Sequence, residues 1–516
     1  MLVSPSTMRP APASQHRRTP EPPALAAPAG SSTKSVSMLL GSLLTPLLAV
    51  LLTSFLAAAL VGCGAEPAPA RNVVLLVLDT VRADHLSCYG YGRPTTPSLD
   101  AFAARSDRYA VARSTAPWTL PSHASLFTGK APQLHGADAR RLASGEVLDA
   151  MSLRAEELTL AEALRESGWS TAAFVANAGY VNPRMGLDQG FEEFMNQRLD
   201  ARSMSERALS WIDKQAPDKP WFVFVNYMDA HRPYNTAALP PERAAGMPKP
   251  PAEGEPNTVE ALEALYRHVF TQSEPPPPEM VQRVIDDYDL GLANLDLGLA
   301  ALFDGLKARG LLEHALVVVT ADHGEYFGEH DLVEHSKDVY EQALRIPLIV
   351  KRPVQRDGRV VDAPISLADV PGMVLREAAP EVAQRRAAEF PGTSGLLGHV
   401  AQARYARRRD LEAQWGPRFQ RERDALYVER FKLIYSSDGK HELYDLTADP
   451  GELDNLFPRE QARVESLVRW MERLRLAGDN GGVSPRAPSA AELKELAALG
   501  YVDELGGAEE LKPVKK

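Results

Sequence analysis

The chain has 516 residues, of which 44% are hydrophobic and 24% are charged, an ordinary composition for a globular protein. Its length exceeds the size at which one hydrophobic core keeps growing, so we expect a large domain together with a smaller one. The net charge of −11, without a basic stripe or an alternation of aromatic and basic residues, excludes nucleic acid as a partner.

Residues 1–62 are predicted to be a leader segment that does not belong to the fold. The uncharged run Met38–Gly62 is long enough to span a bilayer. It ends at Cys63 in a pattern that resembles a bacterial lipoprotein signal, with cleavage before Cys63, lipidation of its sulfur and a linker over 63–70. The alternative is a retained transmembrane anchor. Both interpretations place the protein outside the cytoplasm, on a membrane of the bacterial cell envelope.

Continuous apolar runs that predict buried strands occur at four places in the next 300 residues: Val73–Leu78, Trp221–Val225, Leu316–Val319 and Ile346–Val350. Helical patterns lie between them, and the clearest covers about 280–307. Strands that alternate with helices predict an α/β fold with a mostly parallel sheet covered by helices on both faces. We expect this domain to span residues 71–380.

A proline-rich segment interrupts this alternation at residues 235–279. It contains ten prolines, four of them consecutive at 275–278. Such a composition predicts an irregular excursion over the surface. The excursion either shapes entry to a site or is only a long loop.

The pattern changes again near residue 381. Residues 381–477 are predicted to form a smaller α+β subdomain on an antiparallel sheet, followed by a tail over 478–516. The elements that carry this prediction are strands at 426–428, 431–435 and 442–446 and helices at about 461–476 and 490–499.

Titratable residues stand at the carboxyl ends of three predicted strands, which is where α/β sheets gather their ligands. Asp79 ends the first strand, His231 follows the second, and Asp322 and His323 follow the third. Two carboxylates and an imidazole suit a divalent cation such as Mn²⁺ or Zn²⁺. A threonine hydroxyl in contact with such a cation becomes a nucleophile, and Thr119 is the candidate for this hydroxyl.

The stretch around Thr119 reads STAPWTLPSHASLFTG, from Ser114 to Gly129, and holds a second candidate hydroxyl in Ser122. Ser122 has a plainer explanation, because serine is a preferred N-cap residue. It can cap a short helix that stops at Gly129, with Pro121 just before it.

The order of motifs along residues 72–456 resembles that of the sulfatase family within the alkaline phosphatase superfamily. The resemblance implies the alkaline-phosphatase-like fold, with residues 71–380 as the catalytic domain, and a metal-dependent hydrolysis of a sulfate or phosphate ester. The motifs that carry it are NVVLLVLDTVRAD (72–84), CYGY (88–91), TTPSLD (95–100), STAPWTLPSHASLFTG (114–129), DAHRPY (229–234), TADHGE (320–325), YEQALRIP (340–347), ELYDL (442–446), DP (449–450) and NL (455–456).

The resemblance also implies roles for single residues. Thr119 takes the nucleophile position, and Asp79, Asp322 and His323 take the metal positions, while Ser122 is left as a helix cap. The other implied positions are His231 and His335 for contact with the substrate anion or protonation of the leaving group, Asn177 for a non-bridging oxygen of the anion, and His123, which stands where the family has arginine, for substrate binding. Asn177 is equally well explained as a loop asparagine after a strand.

Three departures from the family pattern bear on the chemistry. Sulfatases carry Cys/Ser-x-Pro-x-Arg, whose first residue is oxidised to formylglycine, whereas this chain has threonine and histidine at the two ends, at Thr119 and His123. Formylglycine is therefore not expected. Thr80 replaces a second aspartate and His323 replaces an asparagine, which shifts the preference for one divalent metal from Ca²⁺ toward Mn²⁺ or Zn²⁺ and leaves a second metal open.

The missing formylglycine favours phosphorus over sulfur as the reacting centre. A threonine sulfate has no hemiacetal through which sulfate can be eliminated, whereas a phosphothreonine can be released by in-line displacement. A phosphodiester or a phosphonate is therefore favoured over a sulfate ester, carried on a small molecule, a glycan or a lipid.

Two other functions compete with hydrolysis. One is a non-catalytic binding lipoprotein that kept the fold, which the retained set of site residues disfavours. The other is a transferase that moves phosphate-bearing groups onto envelope components. Such transferases usually carry several membrane helices, and this chain has one removable segment at most.

Overall fold

The structure, a computed structural model, describes most of the chain after residue 71. The predicted leader, Cys63, the linker and the tail helix at 490–499 lie outside the described residues, and the predicted domain boundaries stay predictions. The described residues are 72–141, 147–148, 150–272, 274–392, 402–405, 417–460, 464–465, 467–469 and 471–472.

The described residues contain nineteen strands and eleven α-helices with known bounds, together with helical residues at 464–465, 467–469 and 471–472. The strands are β1 (Asn72–Leu78), β2 (Asp107–Tyr109), β3 (Ala112–Arg113), β4 (Arg140–Arg141), β5 (Val147–Leu148), β6 (Ser170–Val175), β7 (Glu193–Asn196), β8 (Trp221–Tyr227), β9 (Leu316–Thr320), β10 (Tyr326–Phe327), β11 (Val333–Glu334), β12 (Arg345–Ile346), β13 (Leu348–Lys351), β14 (Arg359–Val361), β15 (Ile365–Ser366), β16 (Gln402–Tyr405), β17 (Arg423–Val428), β18 (Phe431–Ser436) and β19 (Glu442–Asp445). The helices are α1 (Pro97–Ala103), α2 (Thr119–Thr128), α3 (Pro132–His135), α4 (Leu160–Arg165), α5 (Ala201–Ile212), α6 (Pro241–Ala244), α7 (Thr258–Thr271), α8 (Pro278–Ala308), α9 (Glu341–Leu344), α10 (Val370–Ala378) and α11 (Pro380–Arg386).

An eight-stranded sheet forms the centre of the fold, in the order β14-β2-β13-β9-β1-β8-β6-β7. Strands β9, β1, β8, β6 and β7 are consecutive neighbours and run parallel. Every residue of β6, β8 and β9 is buried, because the sheet is covered on both faces. The predicted α/β class and its three central strands are thereby confirmed.

The fourth predicted strand, Ile346–Val350, is only partly correct. Ile346 belongs to β12, which pairs with β3 in a separate three-stranded sheet, and Pro347 interrupts the run because it has no N–H to donate. The strand that follows, β13, joins the main sheet antiparallel to β9. The chain between β9 and β13 does not return through a crossover helix, and a parallel arrangement requires such a crossover.

The proline-rich excursion is more regular than its composition predicts. Residues 235–279 include the short helix α6 and the fourteen-residue helix α7. The start of α7 carries a capping box, in which Asn257 accepts the Glu260 N–H while the Glu260 side chain accepts the Asn257 N–H. Prolines on both sides of this local signal masked it in the sequence. Helix α8, by contrast, confirms the pattern predicted at 280–307.

The smaller C-terminal sheet is antiparallel, as predicted, in the order β16-β17-β18-β19. A buried ion cluster joins it to the larger domain, since Lys432 Nζ of β18 lies 3.2 Å from Glu341 Oε1 of α9 and 2.6 Å from Glu452 Oε1. The described parts of the predicted helix at 461–476 are helical. Across the ranges the structure describes, no helix is both long enough and apolar enough to cross a membrane.

Helices α5 and α8 approach each other closely at Gly298. A Cβ atom at this position would overlap the Cβ and the carbonyl carbon of Ala201, so Gly298→Ala forces the two backbones apart. We expect the substitution to lower the free energy of unfolding by about 1–3 kcal/mol, measured by urea denaturation.

Gly305, two turns further along α8, is the matched control. A Cβ there would meet only the end of the flexible Leu209 side chain. The helix propensity of alanine offsets this contact, so Gly305→Ala should change stability by less than about 1 kcal/mol. Equal losses for the two variants would contradict a backbone contact at Gly298.

Candidate active site

Four neighbouring parallel strands deliver polar residues to one edge of the main sheet. Asp79 follows β1, Asn226 is the next-to-last residue of β8, Asn177 lies two residues after β6, and Asp322 lies two residues after β9. Because β6, β8, β1 and β9 are consecutive in the sheet, their carboxyl ends lie side by side. All four side chains are buried. The structure therefore brings polar side chains together at the sheet edge that the sequence predicted as a ligand site.

Asp79 is held by two amides. Its Oδ2 accepts hydrogen bonds from Asn177 Nδ2 at 2.8 Å and from Asn226 Nδ2 at 3.1 Å. Its Oδ1 has no hydrogen-bond partner within the described ranges. Burial alone would raise the pKa of Asp79, but the charges of His231, His323 and other nearby groups outweigh burial and lower this pKa.

Asp322 faces Asp79 with a second unpartnered oxygen. Its Oδ1 accepts the backbone N–H groups of Thr80 and His323, at 3.2 and 2.9 Å. Its Oδ2 has no hydrogen-bond partner in the described part of the chain. Burial, and then the charge of Asp79, raise the pKa of Asp322 well above its ordinary value. Thr80 aims its N–H from a left-handed backbone with φ 62°, a strained conformation for a β-branched residue.

Thr119 is the first residue of α2, and its hydroxyl faces the same site. Thr119 Oγ1 lies 3.3 Å from His323 Nε2 and 3.5 Å from Asn177 Nδ2. The backbone N–H groups in the first turn of the helix give this end a partial positive charge, which favours an anion beside the hydroxyl.

The prediction that Ser122 caps this helix is wrong. The helix starts four residues earlier than expected, with Trp118 at the cap position, and Ser122 lies inside it. Ser122 Oγ donates to the carbonyl oxygen of Ala116 at 2.9 Å. Pro121 is accommodated in the first turn, where its missing N–H has no helical partner. The helix does end at Gly129, as predicted, in a left-handed conformation with φ 66°.

His323 offers a free nitrogen to the two carboxylates and the hydroxyl. Its Nδ1 lies 3.0 Å from the carbonyl oxygen of Gly324, to which it donates, so Nε2 carries the lone pair. Burial lowers the pKa of His323 to about 4, which keeps the ring neutral. One ligand atom from each of Asp79, Asp322 and His323 lies within 4.8 Å of the others. This donor set, with its two unpartnered carboxylate oxygens, fits a divalent cation.

Two further histidines line up beside His323. The ring centroid of His335 lies 4.6 Å from that of His323 and 5.2 Å from that of His231. His231 Nδ1 lies 2.7 Å from the carbonyl oxygen of Arg232, and His335 Nδ1 lies 3.3 Å from Glu325 Oε1. Burial lowers the pKa of both rings. The structure thus brings both predicted histidines to the site, while their roles stay predictions.

His123 lies one helical turn after Thr119 and is fully buried. Its Nδ1 lies 2.9 Å from the carbonyl oxygen of Thr119 and 3.5 Å from Asp322 Oδ2. Its ring packs edge-on against Phe127 and Phe224. His123 therefore contacts the first turn of the helix and the Asp322 carboxylate from within the core. Its predicted contact with substrate stays a prediction.

Two residues of the site were missed from the sequence. Asn226 donates to Asp79 and accepts the Asn177 N–H at 2.9 Å, so it ties two loops together. A signal for it existed, because a polar residue that ends an apolar strand is a site candidate in its own right. Glu325 gave no such signal, because its contact with His335 depends on a hairpin between them.

This fold and this site together define a hydrolase of the alkaline phosphatase superfamily. The family model described as Sulfatase matches residues 71–378, more than half of the chain. The chain therefore belongs to the sulfatase family, whose members are sulfuric ester hydrolases, and the resemblance predicted from its motifs is confirmed.

Relatives of known name agree with this assignment. The chain is 25% identical to an ulvan-active sulfatase of Formosa agariphila over 58% of this chain and 60% of that protein, which is less than two thirds of its length. It is 24% identical to an uncharacterized sulfatase, YidJ, of Escherichia coli, over 78% of this chain and 88% of that one. The phosphonate monoester hydrolase of Agrobacterium radiobacter superposes with a TM-score of 0.59 at 18% identity, over 80% of this chain and 96% of that one.

Proposed function

We propose that this protein hydrolyses a sulfate or phosphate ester by transferring the acid group to Thr119, beside a divalent cation held by Asp79, Asp322 and His323. The observation that carries the proposal is the position of Thr119 Oγ1. It stands at a helix N-terminus, 3.3 Å from His323 Nε2, next to two buried carboxylates that each keep one oxygen without a hydrogen-bond partner in the described structure.

The side chains of the site are more favourable with one bound cation than without it. Buried carboxylate oxygens without partners are costly, and a cation ligand is the partner that both could share. Two carboxylates, one imidazole nitrogen and a hydroxyl suit Mn²⁺ or Zn²⁺ better than Ca²⁺, which takes six to eight oxygen ligands. When bound, such a cation supplies positive charge that lowers the pKa of the Thr119 hydroxyl and neutralises charge on the ester oxygens.

The chain's own residues would then carry out two displacements. Thr119 loses its proton to water and its oxygen attacks the phosphorus or sulfur atom, while the bond from that atom to the leaving-group oxygen breaks. The leaving oxygen takes the electron pair and receives a proton from His335 or His231. Water then gives a proton back to the same histidine and attacks the phosphorus or sulfur atom, while the bond from that atom to Thr119 Oγ1 breaks. The Thr119 oxygen takes the electron pair and a proton from solvent, which restores the hydroxyl. We propose that the Asn177 amide, whose nitrogen lies 3.5 Å from Thr119 Oγ1 and donates one hydrogen bond to Asp79, holds a non-bridging oxygen with its second N–H through both steps.

The substrate we favour is a phosphodiester or a phosphonate monoester. Threonine at the nucleophile position cannot become formylglycine, so a sulfate on Thr119 has no elimination route and requires attack at sulfur. A phosphoryl group on Thr119 can leave by in-line displacement. Its carrier is proposed to be a small molecule, a glycan or a lipid.

A substrate panel tests the proposal. The full chain is freed of metal with EDTA and loaded in turn with Mn²⁺, Zn²⁺ or Ca²⁺. Turnover is compared for p-nitrophenyl sulfate, p-nitrophenyl phosphate, bis(p-nitrophenyl) phosphate and p-nitrophenyl phenylphosphonate. We expect the diester or the phosphonate to be hydrolysed fastest with Mn²⁺ or Zn²⁺. Faster turnover of the sulfate would show that threonine supports sulfatase chemistry. If no ester is turned over and no cation is bound, a binding lipoprotein is favoured.

We also propose that lipid on Cys63 holds the protein on a bacterial envelope membrane. The motif that ends at Cys63 and the apolar run before it support this location. Cys63→Ala is expected to shift the protein from a lower-mass, membrane-bound and lipid-labelled form to an unlabelled precursor. Fractionation with palmitate labelling measures the shift. If the variant keeps the same mass and the same fraction, the segment is a retained transmembrane anchor instead.

A further inference from the structure

We propose that Glu325 is the positioning residue of His335, whose ring it fixes so that Nε2 is left to meet the leaving-group oxygen of the substrate. The inference rests on the proposed function, in which His335 is one of two histidines placed to protonate that oxygen. It gives a role to Glu325, which ends the TADHGE motif and to which the sequence assigned none.

The hairpin of β10 and β11 brings the two residues together. Its antiparallel register pairs Tyr326 with Glu334 and Phe327 with Val333. The next pair outward in the same register is Glu325 with His335, and directly opposed residues of an antiparallel pair have neighbouring side chains. Glu325 Oε1 lies 3.3 Å from His335 Nδ1. Since Glu325 lies two residues after His323, the hairpin also ties His335 to a predicted metal ligand.

Glu325 makes this contact and no other side-chain hydrogen bond among the residues the structure describes. It is 1% exposed, and its Oε2 has no hydrogen-bond partner in those ranges. A buried carboxyl with one unsatisfied oxygen is unfavourable for stability, so packing does not explain a glutamate at this position. Its contact with the histidine does, because a ring nitrogen held by a carboxyl has a fixed orientation.

The backbone on both sides of His335 is also constrained. Glu334 and Ser336 adopt left-handed conformations with φ 60° and 68°. The Ser336 N–H donates to the carbonyl oxygen of Pro117 at 2.8 Å, two residues before Thr119. Strained backbone conformations persist only where the surrounding structure enforces them, so the position of His335 is fixed by its neighbours.

These contacts assign complementary tasks to the two nitrogens of His335. Nδ1 donates to Glu325, so Nε2 is the nitrogen left for the substrate. Nε2 gives up a proton from the imidazolium form of the ring, whose charge the Glu325 carboxyl stabilises. A carboxyl that accepts a hydrogen bond from one imidazole nitrogen fixes the tautomer of the ring. An amide in its place has the same shape but changes the preferred tautomer. Glu325 touches neither the substrate nor the proposed cation, and it acts through His335.

Leaving groups of different acidity test this role. In the full chain, Glu325→Gln and His335→Ala are compared with wild type on esters of p-nitrophenol and of an alkyl alcohol, each with the same acid group. Proton donation matters most when the leaving oxygen is a poor leaving group. We expect Glu325→Gln to lower kcat/KM about 100-fold for the alkyl ester and less than about threefold for the p-nitrophenyl ester. The double variant should lose no more than His335→Ala alone.

Glu334→Gln is the matched control, because Glu334 is the neighbouring buried glutamate of the same hairpin and contacts Arg232 and Tyr266 instead of a site histidine. Any loss it causes should be the same for both leaving groups. Equal losses of Glu325→Gln on both esters, or losses that add in the double variant, would overturn the inference.

An imidazole proton signal gives a readout that does not depend on turnover. In the full chain labelled with ¹⁵N-histidine, the proton between His335 Nδ1 and Glu325 should exchange slowly with water and give a downfield signal. We expect this signal to be absent from both Glu325→Gln and His335→Ala and retained in Glu334→Gln. If wild type turns over no ester but shows the signal, the proposed function fails while the Glu325–His335 contact stands. If the signal survives Glu325→Gln, the contact itself is wrong.

Discussion

Thr119→Ala is expected to lower kcat/KM by on the order of 10⁴-fold or more, because it removes the atom to which the acid group is transferred. Thr119→Ser keeps a hydroxyl at the same helix position and is expected to retain measurable turnover. Thr119→Val keeps the branched shape without the hydroxyl and should be as inactive as the alanine variant. Steady-state kinetics on the best ester of the panel measures all three.

Stability separates this result from a folding defect. The Thr119 side chain does not cap α2, whose cap residue is Trp118, so its loss should change the free energy of unfolding by less than about 1 kcal/mol. Urea denaturation of the three variants checks this. Turnover by Thr119→Val at the wild-type rate would exclude Thr119 as nucleophile. A water molecule would then be the attacking group in a single displacement.

The central sheet could be predicted because its strands are buried on both faces. Strands β1, β8 and β9 contain the continuous apolar runs Val73–Leu78, Trp221–Val225 and Leu316–Val319, and a polar residue directly after each run identifies the carboxyl end. The direction of β13 could not be predicted in the same way. An apolar run looks the same in either direction, and only the path of the chain through β10 to β12 determines it.

The site residues were predictable to the extent that they follow strands or match a motif. Asp79 directly follows a predicted strand, Asp322 stands three residues beyond another, and Thr119 lies in a motif. The helix start at Trp118 was missed because a serine followed by an apolar stretch is the stronger local capping signal. The contact of Glu325 with His335 depends on the register of a hairpin. Each strand of this hairpin has only two residues, which is too short to show a pattern of alternating burial in the sequence.

Asp322→Asn is expected to abolish cation binding while leaving the metal-free protein at least as stable as wild type. In wild type at pH 7, a cation at 1,000 times its Kd stabilises the fold by about 4 kcal/mol, and this increment should vanish in the variant. Asparagine keeps an oxygen for the Thr80 and His323 N–H groups and carries no charge toward Asp79. Thermal denaturation in EDTA and in Mn²⁺ or Zn²⁺ measures both effects, with calorimetric titration for the Kd.

The stability of the metal-free protein is expected to depend on pH through the Asp322 carboxyl. Burial and the charge of Asp79 raise the pKa of Asp322, so the folded state holds a proton that the unfolded state releases. Metal-free wild type should therefore lose stability as the pH rises from the ordinary carboxyl pKa toward the raised pKa, and Asp322→Asn should remove this loss.

Asp79→Asn is the matched comparison on the other side of the site. Nearby histidines and the Asn177 amide outweigh burial and lower the pKa of Asp79, so its charge stabilises the metal-free fold and its replacement should lower stability in EDTA. Both variants should lose the cation, and in EDTA they should change stability in opposite directions. If both are destabilised equally in EDTA, the two carboxylates share one proton symmetrically, and neither is the resident charge of the metal-free site.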